Sequence, residues 1–216
     1  MQPFSAVQRS HIANFALAEL AYNIDIFRIL TMGLPTSIGD FEPPGTQRAI
    51  VADKDGTFIV WDDAPCPPIT PDQIYVKTEA VAINPSDTKM VGDFQSPYTV
   101  LGTDFAGTVV AVGSNVKHVA VGDRICGASH GMSELRPDRG AFGQYNVTIG
   151  NVWLKLPASM STVAGASLCA GLCTAGLAIR SLGLPMPDAP VDKPFKVLVY
   201  GGSTATGTLA IQLLKL

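Results

Sequence analysis

The chain has 216 residues, 47% of them hydrophobic and 15% charged, with a net charge of −3. This is core material for one large or two modest soluble globular domains, and so mild a negative charge leaves no basic footprint for nucleic acid or anionic lipid. The four cysteines, Cys66, Cys126, Cys169 and Cys173, include no CxxC pair, which excludes a zinc ribbon and a thioredoxin-like motif; they read as free, buried thiols of a reducing compartment, the cytoplasm. In residues 1–45, Ile12, Phe15, Ala18, Tyr22, Ile26 and Ile29 recur at helical spacing, although Ile24, Phe27 and Leu30 blur the stripe. The pattern predicts an amphipathic helix. Glu19, Asp25 and Arg28 interrupt any run able to span a bilayer, and Ile12 to Leu17 is too short for the apolar core of a signal peptide.

From Thr46 the pattern becomes that of short strands. "RAIVADKDGTFIVW" places two apolar runs around Asp55-Gly56, a hairpin signal. In "DQIYVKTEAVAINPSD", Ile74, Val76 and Thr78 alternate with Tyr75, Lys77 and Glu79, as in a half-buried strand. "FAGTVVAVGSNVKHVAVGDRICG" sets β-branched residues between tight turns, and "GAFGQYNVTIGNVWLKLP" continues in that style. Strands at intervals of about ten residues predict a small, partly open barrel. Thr162 to Leu184 then turns helical and rich in small residues, with Gly183 and Pro185 as its stop. A proline-rich connector, "PMPDAPVDKPF", leads to "KVLVYGGSTATGTLAIQLLKL", which reads as a strand, a glycine turn and a helix start. Against G-x-G-x-x-G, Gly202 and Gly207 match but the middle position is Thr204.

A barrel followed by the start of a nucleotide-binding fold, joined to the string "GTDFAGTVVAVGSNVKHVAVGDRICG", resembles the medium-chain dehydrogenase/reductase superfamily. The segments "DAPCPP", "VAINPSDTKM", "LGTDFAGTVVAVGS", "GAFGQY" and "VYGGSTAT" are similar to the fungal trans-acting enoyl reductases, which work beside reducing polyketide synthases of the lovastatin type. The resemblance covers Thr46 to Leu216. It implies a mixed α/β fold: an N-terminal extension (1–45), a GroES-like catalytic barrel with its following helix (46–185), a linker (186–195), and the first strand, turn and helix of a Rossmann-type NADP-binding domain (196–216). A complete domain of that type carries about six strands, so the resemblance also implies a chain that stops short. Such a chain is expected to bind NADPH too weakly for turnover on its own.

The resemblance further implies the site. Zinc-dependent relatives place a Cys where this chain has Asn84 and a His-Glu pair where it has Thr103-Asp104, so no metal is expected, neither an amide nor a hydroxyl being a usual zinc ligand. Ser86, Asp87, Thr88 and Lys89 are carried over as contacts to the nicotinamide end of NADP(H); spacing alone favours an ordinary polar turn with a solvated lysine. Thr174 is carried over as facing the nicotinamide, its alternative being a hydrogen bond to the carbonyl one turn back. Ala175, Gly176, Leu177, Ala178, Ile179, Arg180, Ser181 and Leu182 would line the acyl-chain tunnel. Ser203, Thr204, Ala205 and Thr206 would meet the cofactor phosphates, and Lys89 and Thr174 are the candidate catalytic residues. His11, His118 and His130 form no constellation and read as surface residues.

The implied reaction is NADPH-dependent reduction of an α,β-unsaturated acyl thioester on the acyl carrier protein of a polyketide synthase, or of a synthase–peptide synthetase hybrid. The alternatives are a quinone or free enone reductase of the same superfamily and a non-catalytic remnant. No nucleic-acid or membrane partner is implied.

Overall fold

The computed structural model describes residues 41–89, 96–149, 152–186, 189, 191 and 193–216. The N-terminal helical stripe and His11 lie outside the described residues. The described residues fall into two units, those up to 169 and those from 170 to 216.

The first unit is built from antiparallel strands. Strands β1 (Thr46–Ala52) and β2 (Phe58–Pro65) form the expected hairpin. Its turn is fixed by Asp53, whose Oδ1 accepts the amides of Asp55 at 2.9 Å and Thr57 at 2.8 Å, with Gly56 in the left-handed region at φ 80°. Five strands form a second sheet: β3 (Gln73–Ala82), β4 (Asp104–Val112), β5 (Arg124–Ala128), β6 (Tyr145–Ile149) and β7 (Trp153–Lys155), in the order β6-β3-β4-β5-β7. The bridges Ala49↔Gly143 and Val51↔Val100 link the hairpin to segments flanking that sheet. Together these make the partly open barrel that the strand spacing predicts.

Apolar side chains fill the barrel in two groups. Val51, Ala52, Val100, Leu101 and Met132 pack beneath the hairpin, while Ile74, Val76, Phe105, Val109, Ile125 and Trp153 fill the space inside the larger sheet. One expectation fails in β3. Alternation puts Tyr75 on the solvent side, yet it is fully buried. Phe41 and Tyr145 cover that face, with ring centroids 5.6 and 5.8 Å from the Tyr75 ring, so the first half of β3 is buried on both faces. Burial pushes the Tyr75 phenol far above its ordinary pKa.

The stretch after β7 is two helices rather than one. Helix α1 (Pro85–Lys89) follows β3, and α2 (Thr162–Ala166) follows β7. Ser161 caps α2 by accepting the Ala164 amide at 3.1 Å, and a turn at Ser167–Leu168 separates it from α3 (Cys169–Ser181). By length and composition alone Thr162–Ser181 could cross a membrane, but 44% of it is buried within the structure. Cys126, Cys169 and Cys173 are buried and Cys66 is half-buried, all four as free thiols.

The pairing of β3 with β4 decides where the loops at one end of the barrel meet. Its register runs from Ile74↔Val112 to Ala82↔Asp104 and includes a shift between Thr78 and Ala80. At that shift the backbones close in: a Cβ at Gly107 would lie 2.0 Å from the Lys77 carbonyl oxygen. Backbone cannot yield as a side chain can, so Gly107→Ala should cost about 2–4 kcal/mol. A guanidinium unfolding curve of the variant, with its midpoint lowered at unchanged slope, checks this.

Candidate functional site

The polar segment after β3 folds as a capped turn of helix. Pro85 occupies the first helical position, where its missing N–H costs nothing. Asn84 precedes it, and its carbonyl accepts the Asp87 amide at 3.0 Å. The Asp87 carboxylate returns the contact: Oδ2 accepts the Asn84 amide at 2.7 Å, a reciprocal capping arrangement three residues apart. Its Oδ1 accepts the Thr103 hydroxyl at 3.0 Å. The Asn84 side-chain amide in turn donates to Asp104 Oδ2 at 2.9 Å. Asp87 and Asp104 are buried, 6% and 1% exposed.

Asn84 and Asp87 are thus joined to Thr103 and Asp104, later in the sequence, at the end of the β3–β4 ladder. No group of three or more His, Cys, Asp or Glu side chains able to hold a metal gathers among the described residues. His118 and His130 are exposed. Burying Asp87 turns its neighbours outward, so Ser86, Thr88 and Lys89 are exposed on α1. The Thr88 hydroxyl donates to the Pro85 carbonyl at 3.0 Å, leaving it an acceptor toward any ligand. Of the four residues carried over to this segment, three face solvent and Asp87 faces the barrel. The capping spacing Asn84…Asp87 was the available sequence signal for that difference.

In the second unit, Gly183 ends α3 at φ 64°. The Leu184 amide bonds the Ile179 carbonyl at 3.1 Å and the Gly183 amide that of Arg180 at 2.9 Å, the Gly-terminated stop that the sequence predicts. The Thr174 hydroxyl donates to the Ala170 carbonyl at 2.8 Å and is exposed. Ala175, Gly176 and Ile179 are buried, Leu177 is half-buried, and Ala178, Arg180, Ser181 and Leu182 are exposed. Small residues bring α3 close to α4 (Ala205–Leu213): a Cβ at Gly171 would lie 2.5 Å from Leu209 Cδ1.

The glycine turn is formed, but the strand expected before it is not. Lys196–Val199 carries no strand assignment, Leu198 is 92% exposed and Tyr200 wholly so. A strand exists only as part of a ladder, and among the described residues this segment has no pairing partner. On α4, Leu213 is buried and Leu209, Ile211 and Leu214 are half-buried. Thr204, expected to offer its hydroxyl to phosphate, is the N-cap of α4. Its Oγ1 accepts the Gly207 amide at 3.0 Å and donates to the Gly201 carbonyl at 2.8 Å, so its proton is already engaged. Ser203 and Ala205 are exposed and Thr206 is half-buried. Gly207 is needed here, since a Cβ would lie 2.3 Å from the Gly201 carbonyl oxygen.

The chain is similar to several known proteins. Residues 70–158 match the alcohol dehydrogenase GroES-like domain. The enoyl reductase component lovC of the lovastatin nonaketide synthase from Aspergillus terreus is 54% identical over 182 residues, covering 82% of this chain and 50% of that protein. Dehydrogenase mokE from Monascus pilosus is also 54% identical over 182 residues, 82% of this chain and 51% of its own. Among solved structures, the quinone oxidoreductase from Coxiella burnetii superposes with a TM-score of 0.61 at 27% identity, over 78% of this chain and 53% of that one. These matches support the resemblance to the medium-chain dehydrogenase/reductase superfamily. Within it, the chain is similar to fungal trans-enoyl reductases, and it spans about half the length of the lovC and mokE proteins.

Because Thr204 holds the first turn of α4, Thr204→Ala should cost that turn about 1 kcal/mol. Hydrogen exchange at the Gly207 amide should quicken accordingly, and Thr204→Ser should restore the protection.

Proposed function

We propose that this protein reduces an enoyl thioester carried by the acyl carrier protein of a polyketide synthase, with NADPH as the reductant, in the cytoplasm. The observation that carries the proposal is the 54% identity, over 82% of the chain, to an enoyl reductase component of such a synthase. NADPH when bound supplies a hydride to the β-carbon of the substrate, and a proton then goes to the α-carbon. The chain's own residues bind, orient and neutralise.

Lys89 presents an ammonium on the exposed face of α1, beside the hydroxyls of Ser86 and Thr88. Such a set suits the ribose and phosphate oxygens at the nicotinamide end: the ammonium makes charge-assisted contacts, Ser86 donates, and Thr88 accepts. At the other segment, the first amides of α4, Ala205 and Thr206, carry the positive end of the helix and suit pyrophosphate oxygens. Ser203 adds a hydroxyl to these amides, while Thr204 holds the turn. Thr174, whose proton is engaged with Ala170, accepts a hydrogen bond from the nicotinamide carboxamide. Leu177, Ala178, Arg180, Ser181 and Leu182, the accessible part of α3 and its end, meet the acyl chain. The enolate oxygen that develops as hydride arrives needs a positive partner, and Lys89 fills that role.

The test is an assay of the chain, alone and continued by the remaining half of lovC, with NADPH and either a carrier-bound enoyl thioester or a free quinone. Consumption of NADPH with a thioester product heavier by two hydrogens is expected from the continued protein, and turnover of the quinone alone would favour the quinone reductase reading. In the active form Lys89→Ala should lower NADPH affinity or turnover about tenfold or more, one charge-assisted contact being worth about 1.5–3 kcal/mol. Asn84 and Thr103, an amide and a hydroxyl already hydrogen-bonded, leave zinc no ligand set. Elemental analysis after dialysis should therefore find zinc far below one ion per chain.

A further inference from the structure

Resting on the cofactor reading above, we propose that Asp87 is a positioning residue: its carboxylate latches helix α1 to the barrel and so presents Ser86, Thr88 and Lys89 outward, without itself touching the cofactor. Both carboxylate oxygens are committed within the barrel. Oδ2 takes the Asn84 amide at 2.7 Å, ahead of the helix, and Oδ1 takes the Thr103 hydroxyl at 3.0 Å, at the entrance to β4. The side chain is 6% exposed, whereas the residues on either side of it are exposed.

The latch is braced from behind. Asn84 Nδ2 donates to Asp104 Oδ2 at 2.9 Å, and Asp104 pairs with Ala82 in the ladder, so both sides of the contact belong to the β3–β4 sheet. A helix of five residues cannot hold its shape by its own hydrogen bonds. What fixes the direction of the Lys89 side chain is therefore the pair of contacts that Asp87 makes. Removing the carboxylate frees the turn and leaves the half-buried Asn84 amide and Thr103 hydroxyl without their acceptor.

A residue that positions can be told from one that contacts by the chemistry of its replacement. In Asp87→Asn the amide oxygen still accepts from the Asn84 N–H, and the amide nitrogen donates to Thr103, whose hydroxyl reverses from donor to acceptor. The latch survives without the charge. In Asp87→Ala it is lost, and in Thr103→Val one half of it is lost. Two readouts on these variants decide the matter: hydrogen exchange at the Asn84 and Asp87 amides of the 216-residue chain, and the NADPH dissociation constant of the form active in the assay above.

Asp87→Ala should speed exchange at the Asn84 amide and weaken NADPH binding, each about tenfold. Asp87→Asn should stay within about threefold of the wild-type NADPH constant, since it keeps the geometry and loses only charge assistance. Thr103→Val should fall between them on exchange. An Asp87→Asn as damaging to NADPH binding as Asp87→Ala overturns the proposal, because the negative charge itself would then serve the cofactor. So does an Asp87→Ala that leaves either the Asn84 amide or the NADPH constant unchanged. A wild type that binds no NADPH in either form overturns the cofactor reading instead, while the exchange rates still judge the latch.

Discussion

The register of β3 on β4 is the constraint on which the candidate site depends. Because Ala82 stands opposite Asp104, the chain leaving β3 and the chain entering β4 pass each other at one end of the barrel. Asn84 then meets Asp104, and Asp87 meets Thr103. A slip of one residue would turn every side chain of β3 to the other face and part these contacts. The register is held by burial on both faces of the first half of β3 and by the approach of Lys77 to Gly107, which admits no side chain. Packing in the middle of the sheet thereby fixes polar geometry at its end.

Short polar residues in this chain are spent first on the backbone. Asp87, Ser161, Thr174 and Thr204 each engage a main-chain amide or carbonyl within four residues of themselves. The physical reason is proximity: a capping contact costs little entropy to form, whereas a ligand must be brought from solution. A hydroxyl that donates to a carbonyl, as those of Thr174 and Thr204 do, keeps acceptor capacity but has no proton left to give. In the two proposed cofactor segments, the groups that local structure leaves over as donors are the Lys89 ammonium, the Ser203 and Ser86 hydroxyls and the first amides of α4.

Much of this was legible in the sequence. The Asp55-Gly56 hairpin, the partly open barrel, the Gly183 helix stop and the similarity to trans-enoyl reductases follow from turn chemistry, strand spacing and quoted motifs. The burial of Tyr75 was not legible, because strict alternation says nothing of the aromatic rings of Phe41 and Tyr145 that cover it. Nor was the break at Ser167–Leu168, since small apolar residues permit a helix without marking its interruption. At the candidate site, which member of Ser86–Lys89 turns inward depends on Thr103, and that contact is set by the fold. The extended stretch before Gly201 looked like a strand by composition; pairing, which composition cannot supply, decides that question.

Each of two segments of this chain, Ser86–Lys89 and Ser203–Thr206, is proposed to meet NADPH. The most direct measurement is a titration of NADPH into the isotopically labelled 216-residue chain, followed amide by amide in NMR spectra at cofactor concentrations high enough to reveal weak binding. The account predicts saturable shifts concentrated at Ser86, Thr88 and Lys89 and at Ser203, Ala205 and Thr206, with the Asn84 amide moving little. Shifts confined to other surfaces, or none at either segment at any concentration, would contradict it.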